Sequence, residues 1–209
     1  IAAMEWADSI GVDVTSTSLG YIDFDSPFTS YTWEDMDGNT AAITIAADYA
    51  VSLGITVVNS AGNEGSNSTH NTLGAPSDGD SVIAVGAVTS SGIRASFSSV
   101  GPTVDGRIKP DVMAMGSNNY YASTSGNGYW NGSGTSFSCP LVAGVCALLF
   151  QKNPALTPME VLQLLRSTAT QSNNPDNLYG WGIINALSAI NLIVVPVELT
   201  SFSAAYSEG

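Results

Sequence analysis

The stretch Gly134-Thr135-Ser136-Phe137-Ser138-Cys139-Pro140-Leu141-Val142-Ala143-Gly144 leads without a break into an apolar run that ends at Phe150. This pattern predicts a tight turn and then a buried helix, with Ser136 among its first residues. A helix that is apolar on most sides must be surrounded by other elements, so the rest of the chain has to supply layers around it. Its N-terminus presents unpaired N–H groups and a partial positive charge. A serine placed there has two readings. It is an N-cap of a core helix, or it is a nucleophile whose neighbouring N–H holds the oxyanion formed when a carbonyl is attacked.

The remaining segments predict those layers. Ile1 to Ser9 carries Ile1, Met4 and Ala7 at helical spacing, and Gly11 ends the pattern. Val12 to Leu19 reads as a strand rich in Val and Thr. Thr40 to Leu53 reads as a helix with Ile43, Ala46, Ala47, Ala50 and Leu53 on one face, stopped by Gly54. Ile55 to Val58 and Ser81 to Val88 are short apolar runs without alternation, as in parallel strands covered on both faces. Asn118 to Trp130, rich in Gly, Ser and Tyr, predicts a hairpin leading to the serine turn. Thr157-Pro158-Met159-Glu160 is a capping box with proline at the first helical position, opening a helix to about Thr168. Short strands alternating with helical patterns predict an α/β fold with a mostly parallel sheet. Ser60-Ala61-Gly62-Asn63-Glu64-Gly65 falls at the carboxyl end of one strand, the edge where open α/β sheets bind ligands.

Composition excludes several partners. A net charge of −13 over 209 residues argues against nucleic acid, which needs clustered Lys and Arg, and against anionic membrane surfaces. No apolar run is expected to reach the roughly 18 residues of a membrane span. Cys139 and Cys146 stand about 10.5 Å apart along one helix, beyond the roughly 7 Å a disulfide tolerates, and read as small core residues. Tyr21 to Asn39 is an acidic, aromatic loop. Its Asp35-Met36-Asp37-Gly38-Asn39 string resembles the start of a calcium loop, but the twelfth position counted from Asp35 is Ala46, which excludes an EF-hand. The metal ligands are therefore unknown. A structural calcium in another geometry stays open, as does a solvated loop whose Asn39 caps the following helix.

The string from Gly134 to Gly144 resembles the serine block of the subtilisin-like serine proteases, the subtilases, whose pattern is G-T-S-x-x-x-P-x-x-A-G; every fixed position is matched. Ser18-Leu19-Gly20, Ser60-Ala61-Gly62-Asn63, Lys109-Pro110-Asp111-Val112-Met113-Ala114 and Tyr179-Gly180-Trp181-Gly182-Ile183-Ile184-Asn185-Ala186 resemble further segments of the family. The resemblance implies a three-layer subtilisin-like fold and a serine endopeptidase that hydrolyses peptide bonds through an acyl-enzyme on Ser136. Its substrates would be polypeptides, and the chemistry would require no cofactor. It puts the oxyanion-binding asparagine on Asn63 and the strand that pairs with substrate on Ser18, Leu19 and Gly20. Ser60, Ala61 and Gly62 would line the pocket for the residue before the scissile bond.

The family's Asp and His blocks find no match. Their order is Asp, His, Ser, with the His before the oxyanion asparagine, whereas the chain's single histidine, His70, follows Asn63. His70 sits in the polar loop Asn67-Ser68-Thr69-His70-Asn71 without an acidic neighbour and reads as a surface histidine. The Asp and His blocks are expected upstream of Ile1. The chain opens inside a helical pattern without a starting methionine and reads as truncated at its N-terminus. Residues 1–192 are then the C-terminal part of a catalytic domain. Residues 193–209, where Val195, Val197 and Leu199 alternate with Pro196 and Glu198, read as the start of a linker or of a β-rich module such as secreted bacterial proteins carry. An extracellular location follows from that resemblance. Two other functions remain open: a non-catalytic peptide-binding module that lacks the base, and an adhesion or carbohydrate-binding module, suggested only by the acidic aromatic loop.

Overall fold

The structure is a computed structural model and describes residues 1–194; the strand expected from Val195 lies outside the described residues. Strands β1 (Val14–Thr17), β2 (Thr56–Ser60), β3 (Ile83–Val88) and β4 (Val112–Met115) form one parallel sheet in the order β1-β2-β3-β4. The register pairs Val14 with Thr56, Val58 with Ile83, and Val85 with Val112. Parallel neighbours need long crossovers. Helix α2 (Ala42–Ser52) lies in the first, while the next two are loops. β2 and β3 are buried at every position, as their unbroken apolar runs predict.

Alternation along the strands divides the core between two helical layers. Val58, Ile83 and Val85 face α3 (Thr135–Lys152), α4 (Pro158–Thr168) and α5 (Ala186–Leu192), meeting Cys139, Val142, Cys146 and Leu149 of α3 and Val161, Leu162 and Leu165 of α4. Val57 and Val82 face the other way, onto Ala47, Ala50 and Val51 of α2 and Met4 of α1 (Ala2–Ser9). The result is the expected three-layer α/β arrangement. An antiparallel hairpin, β5 (Asn119–Ala122) and β6 (Tyr129–Gly132), precedes α3. Both cysteines are free and buried, and burial pushes the Cys146 thiol up to about 12.

Several expectations need correcting. β1 stops at Thr17, so Ser18-Leu19-Gly20 continues beyond the strand. α2 begins at Ala42 and buries Thr44, Ala47, Ala50 and Val51, while Leu53 is 49% exposed. Asn39 does not cap it. The Asp37 carboxylate takes the Asn39 and Thr40 N–H groups at 2.7 and 2.8 Å and the Thr40 hydroxyl at 2.9 Å, and the Tyr31 hydroxyl accepts the Ala42 N–H. α3 is not enclosed on all sides. The sheet covers only one side of a helix, and Leu141 and Leu148, two turns apart, point outward at 48% and 44% exposure. α3 is also 18 residues long and apolar enough, by length and composition, to cross a membrane; in this fold its inner face packs on the sheet.

A buried charge cluster ties the sheet to α4. Lys109 and Asp111 are 1% and 0% exposed. The Lys109 Nζ donates to Asp111 Oδ2 at 2.8 Å and to the Val82 carbonyl at 2.7 Å. The Ala84 N–H donates to the same carboxylate oxygen, and Arg166 of α4 donates to the other while stacking over Trp181. Burial alone would raise the Asp111 pKa, but the charges of Lys109 and Arg166 and their hydrogen bonds override it and hold the carboxyl below its usual value. Because the folded value is depressed, this stabilisation is present above the unfolded value of about 3.9 and is lost as pH falls through the folded one. Lys109→Met should lower unfolding stability at neutral pH by about 3–5 kcal/mol, because it strips one partner from a buried charge. Denaturant titration of both proteins at pH 7 and in acid checks this. The gap should narrow once Asp111 is protonated, and an unchanged midpoint at pH 7 would contradict it.

Candidate active site

Three of the motif strings, those at Ser18, Ser60 and Gly134, are spread over more than 100 residues of sequence and converge at the carboxyl edge of β1 and β2. The segment after β1 and the segment after β2 form facing walls of a cleft of about 350 Å³ that also contains Thr135 and Ser136. Ser18, Leu19 and Gly20 line one wall, and Ser60, Gly62 and Asn63 line the other. Ala61 does not line it. Alternation after β2 turns its side chain to the opposite side, where it packs fully buried with Met36, Leu73 and Ala75. Gly62 is at φ +115, where an L side chain is strained, and a Cβ there would lie 2.7 Å from the Ser99 hydroxyl.

The front of α3 is bound to the Asn63 wall through Thr135, which is fully buried. Its N–H and hydroxyl both donate to Asn63 Oδ1, at 2.9 and 3.1 Å, and its hydroxyl oxygen accepts the Gly62 N–H at 3.3 Å. Two donors on one amide oxygen fix the orientation of the carboxamide, since the opposite orientation would set N–H against N–H. Asn63 Nδ2 therefore remains available as a donor. The Phe137 N–H is taken by the Gly134 carbonyl. The Ser136 N–H, between these two, has no acceptor among the described residues. Gly116 permits the approach of this turn to the sheet: it accepts the Gly134 N–H at 2.8 Å, and a Cβ on it would sit 2.5 Å from Ala87 Cβ.

Ser136 is exposed, and its hydroxyl lies 3.5 Å from the Ser18 carbonyl oxygen, the outer limit of a hydrogen bond. A second contact runs the other way. Pro140 sits inside α3 without an N–H, so the Ser136 carbonyl loses its ordinary helical donor. The Ser18 hydroxyl replaces it at 3.1 Å. The proline of the serine block thus couples the nucleophile candidate to the wall expected to pair with substrate.

Sequence reasoning missed two residues that shape this site. Thr135 was visible as a fixed position of the motif, but only the fold shows it holding Asn63. Asn59, fully buried in β2, donates to the Leu19 carbonyl at 3.3 Å and to the Ser60 carbonyl at 2.8 Å, and so spans both walls. The available signal was a polar residue placed directly after the apolar run Ile55 to Val58, before the Ser60-Ala61-Gly62-Asn63 string. His70 is elsewhere: it stacks on Trp33 with ring centroids 5.2 Å apart, bonds Asn67 and the Asn71 carbonyl, and does not line the cleft. Among the described residues, no three His, Cys, Asp or Glu side chains are grouped to hold a metal; Asp37 uses both oxygens, and Asp35 its Oδ2, to accept nearby N–H and hydroxyl groups.

Ser18→Ala tests the proline-linked contact. It leaves the Ser136 carbonyl without a donor and should cost about 1 kcal/mol in denaturant unfolding, whereas the same substitution in a Pro140→Ala background should cost less, because residue 140 then supplies its own N–H. Equal losses in the two backgrounds would contradict the coupling.

Comparison with known proteins bears on the family and the fold. The profile of the Subtilase family matches residues 1–182. The chain is 42% identical over 190 residues to subtilisin DY of Bacillus licheniformis and 42% identical over 189 residues to subtilisin NAT of Bacillus subtilis subsp. natto, covering 90% of this chain in each case. It spans 61% and 44% of those two relatives. The solved structure of the self-cleaved protease domain of PatA superposes with a TM-score of 0.68 at 26% identity, over 91% of this chain and 65% of that one. With Ser136, Thr135 and Asn63 assembled at one sheet edge and a family match over most of its length, the chain belongs to the subtilase family.

Proposed function

We propose that this chain carries the nucleophile, the oxyanion site and part of the substrate cleft of a secreted serine endopeptidase, and that the protein containing it cleaves polypeptides. The observation that supports this best is the Thr135–Asn63 contact, which leaves an amide donor and the free Ser136 N–H beside one exposed hydroxyl. Ser136 Oγ attacks the scissile carbonyl, its proton passes to a base, and the carbonyl oxygen becomes an oxyanion held by Asn63 Nδ2 and the Ser136 N–H. Collapse expels the amine and leaves an acyl-enzyme on Ser136, which water hydrolyses. Ser18, Leu19 and Gly20 align the peptide as an added strand, and Ser60 and Gly62 border the pocket for the residue before the scissile bond.

A serine hydroxyl needs a base, and His70 does not reach the cleft. The base and its orienting carboxylate therefore come from a part of the protein outside these 209 residues. Residues 1–192 are the C-terminal part of that catalytic domain. Among the described residues, the chain alone retains binding groups but brings no histidine to the cleft.

Peptide hydrolysis by the chain alone, by the protein that includes the rest of the domain, and by its Ser136→Ala and Asn63→Ala variants tests this reading. The longer protein should turn over substrate and the chain alone should not. Ser136→Ala should abolish measurable turnover. Asn63→Ala should lower kcat by about 10²–10³, a magnitude measured on subtilisin, a member of this family. Robust turnover by the chain alone, or an active Ser136→Ala variant, would contradict the assignment.

A further inference from the structure

The pairing of β1 with β2 ends at Thr17, which lies opposite Asn59. Ser18, Leu19 and Gly20 follow as the cleft wall, beyond the last pair of that ladder. The backbone gains its next anchor at Tyr21, whose N–H donates to the Ala75 carbonyl at 2.9 Å. Among the described residues, the Gly20 N–H and carbonyl bond nothing.

Asn59 reaches into this gap from below. Alternation along β2 puts its side chain on the face of Val57, where it is fully buried and does not line the cleft. Its Nδ2 donates to the Leu19 carbonyl at 3.3 Å and to the Ser60 carbonyl at 2.8 Å. Those two acceptors fix the carboxamide, because the opposite orientation would set oxygen against oxygen. Its Oδ1 has no partner among the described residues. A buried oxygen left unpaired is costly, and an apolar side chain here would avoid that cost. What the position gains is the pair of bonds to the two walls.

Successive carbonyls of an extended chain point to opposite sides. The Leu19 carbonyl turns inward to Asn59, and the Ser18 carbonyl lies 3.5 Å from the Ser136 hydroxyl. Holding Leu19 inward therefore keeps the Gly20 N–H and carbonyl on the side of the Ser18 carbonyl, toward the cleft. Resting on the peptidase reading above, we propose that Asn59 is a positioning residue: its side chain continues the β1–β2 ladder past Thr17 and so presents the Gly20 backbone to an extended peptide. It acts through Leu19 and touches no substrate.

The test uses the protein containing the rest of the domain, with rates normalised to active sites titrated at Ser136. Two substrates share the residue before the scissile bond. One is a peptide amide long enough to run past Gly20, and the other is an N-acetyl amino acid ester too short to reach it. Asn59→Ala should lower kcat/KM for the peptide about tenfold, the scale of one or two hydrogen bonds, and leave that of the ester near its original value. Asn59→Asp keeps the volume, but its carboxylate offers only acceptors to the two carbonyls, so the peptide-to-ester ratio should fall at least as far. Equal losses for both substrates, as a merely structural role would give, would overturn the inference and leave the peptidase reading standing. An unchanged ratio would do the same. Whether or not the variants fold, the Asn59 side-chain amide hydrogens of the unaltered protein should exchange slowly with solvent by NMR, and fast exchange would also overturn the inference. No Ser136-dependent hydrolysis of either substrate would overturn both readings.

Discussion

The site depends on one small contact, the pair of hydrogen bonds from Thr135 to Asn63 Oδ1. It joins the front of α3 to the loop that leaves β2, two elements 72 residues apart in sequence. Without it, the Asn63 carboxamide has no fixed orientation and the Ser136 turn has no fixed distance from the sheet edge. With it, the amide oxygen of Asn63 is taken up and its Nδ2 is left as a donor on the wall that the cleft shares with Ser136, the kind of fixed donor that the proposed oxyanion stabilisation requires. The parallel sheet matters to function mainly because it brings the ends of β1 and β2 to one edge.

Much of this was legible in the sequence. The apolar runs that became β2 and β3, the hairpin before the serine turn, the capping box at Thr157 and the place of Ser136 near the front of α3 all follow from local patterns, and local patterns persist when the chain folds. The motif strings also identified Ser136 and Asn63 as candidates. Less legible was anything set by competition between neighbours. Asn39 is a good N-cap residue, yet Asp37 two positions earlier captures the free N–H groups of that turn with a charge. Ala61 belongs to a binding motif, but strand alternation turns it into the core. Leu53 fits the helical face and still lies outside, because α2 rolls to bury Thr44, whose hydroxyl donates to the buried Asp78. None of these outcomes is encoded in spacing alone.

Electrostatics divides the molecule into two regimes. Inside, Lys109 and Arg166 meet on Asp111, where two cations and a backbone N–H compensate the charge removed from water. At the surface, carboxylates far outnumber cations, and two of them, Asp23 and Glu64, border the cleft. A protein with so few cations gains internal order by concentrating them, and it leaves its outer charge for solvent, ions or a ligand.

The most direct measurement of the central claim is a crystal structure of the protein, together with the rest of its domain, after reaction with a peptidyl phosphonate. The phosphonyl oxygen mimics the oxyanion of the tetrahedral intermediate. Phosphorus should be bonded to Ser136 Oγ, with that oxygen about 2.7–3.1 Å from both Asn63 Nδ2 and the Ser136 N–H. An adduct on another residue, or an oxygen turned to solvent away from Asn63, would contradict it.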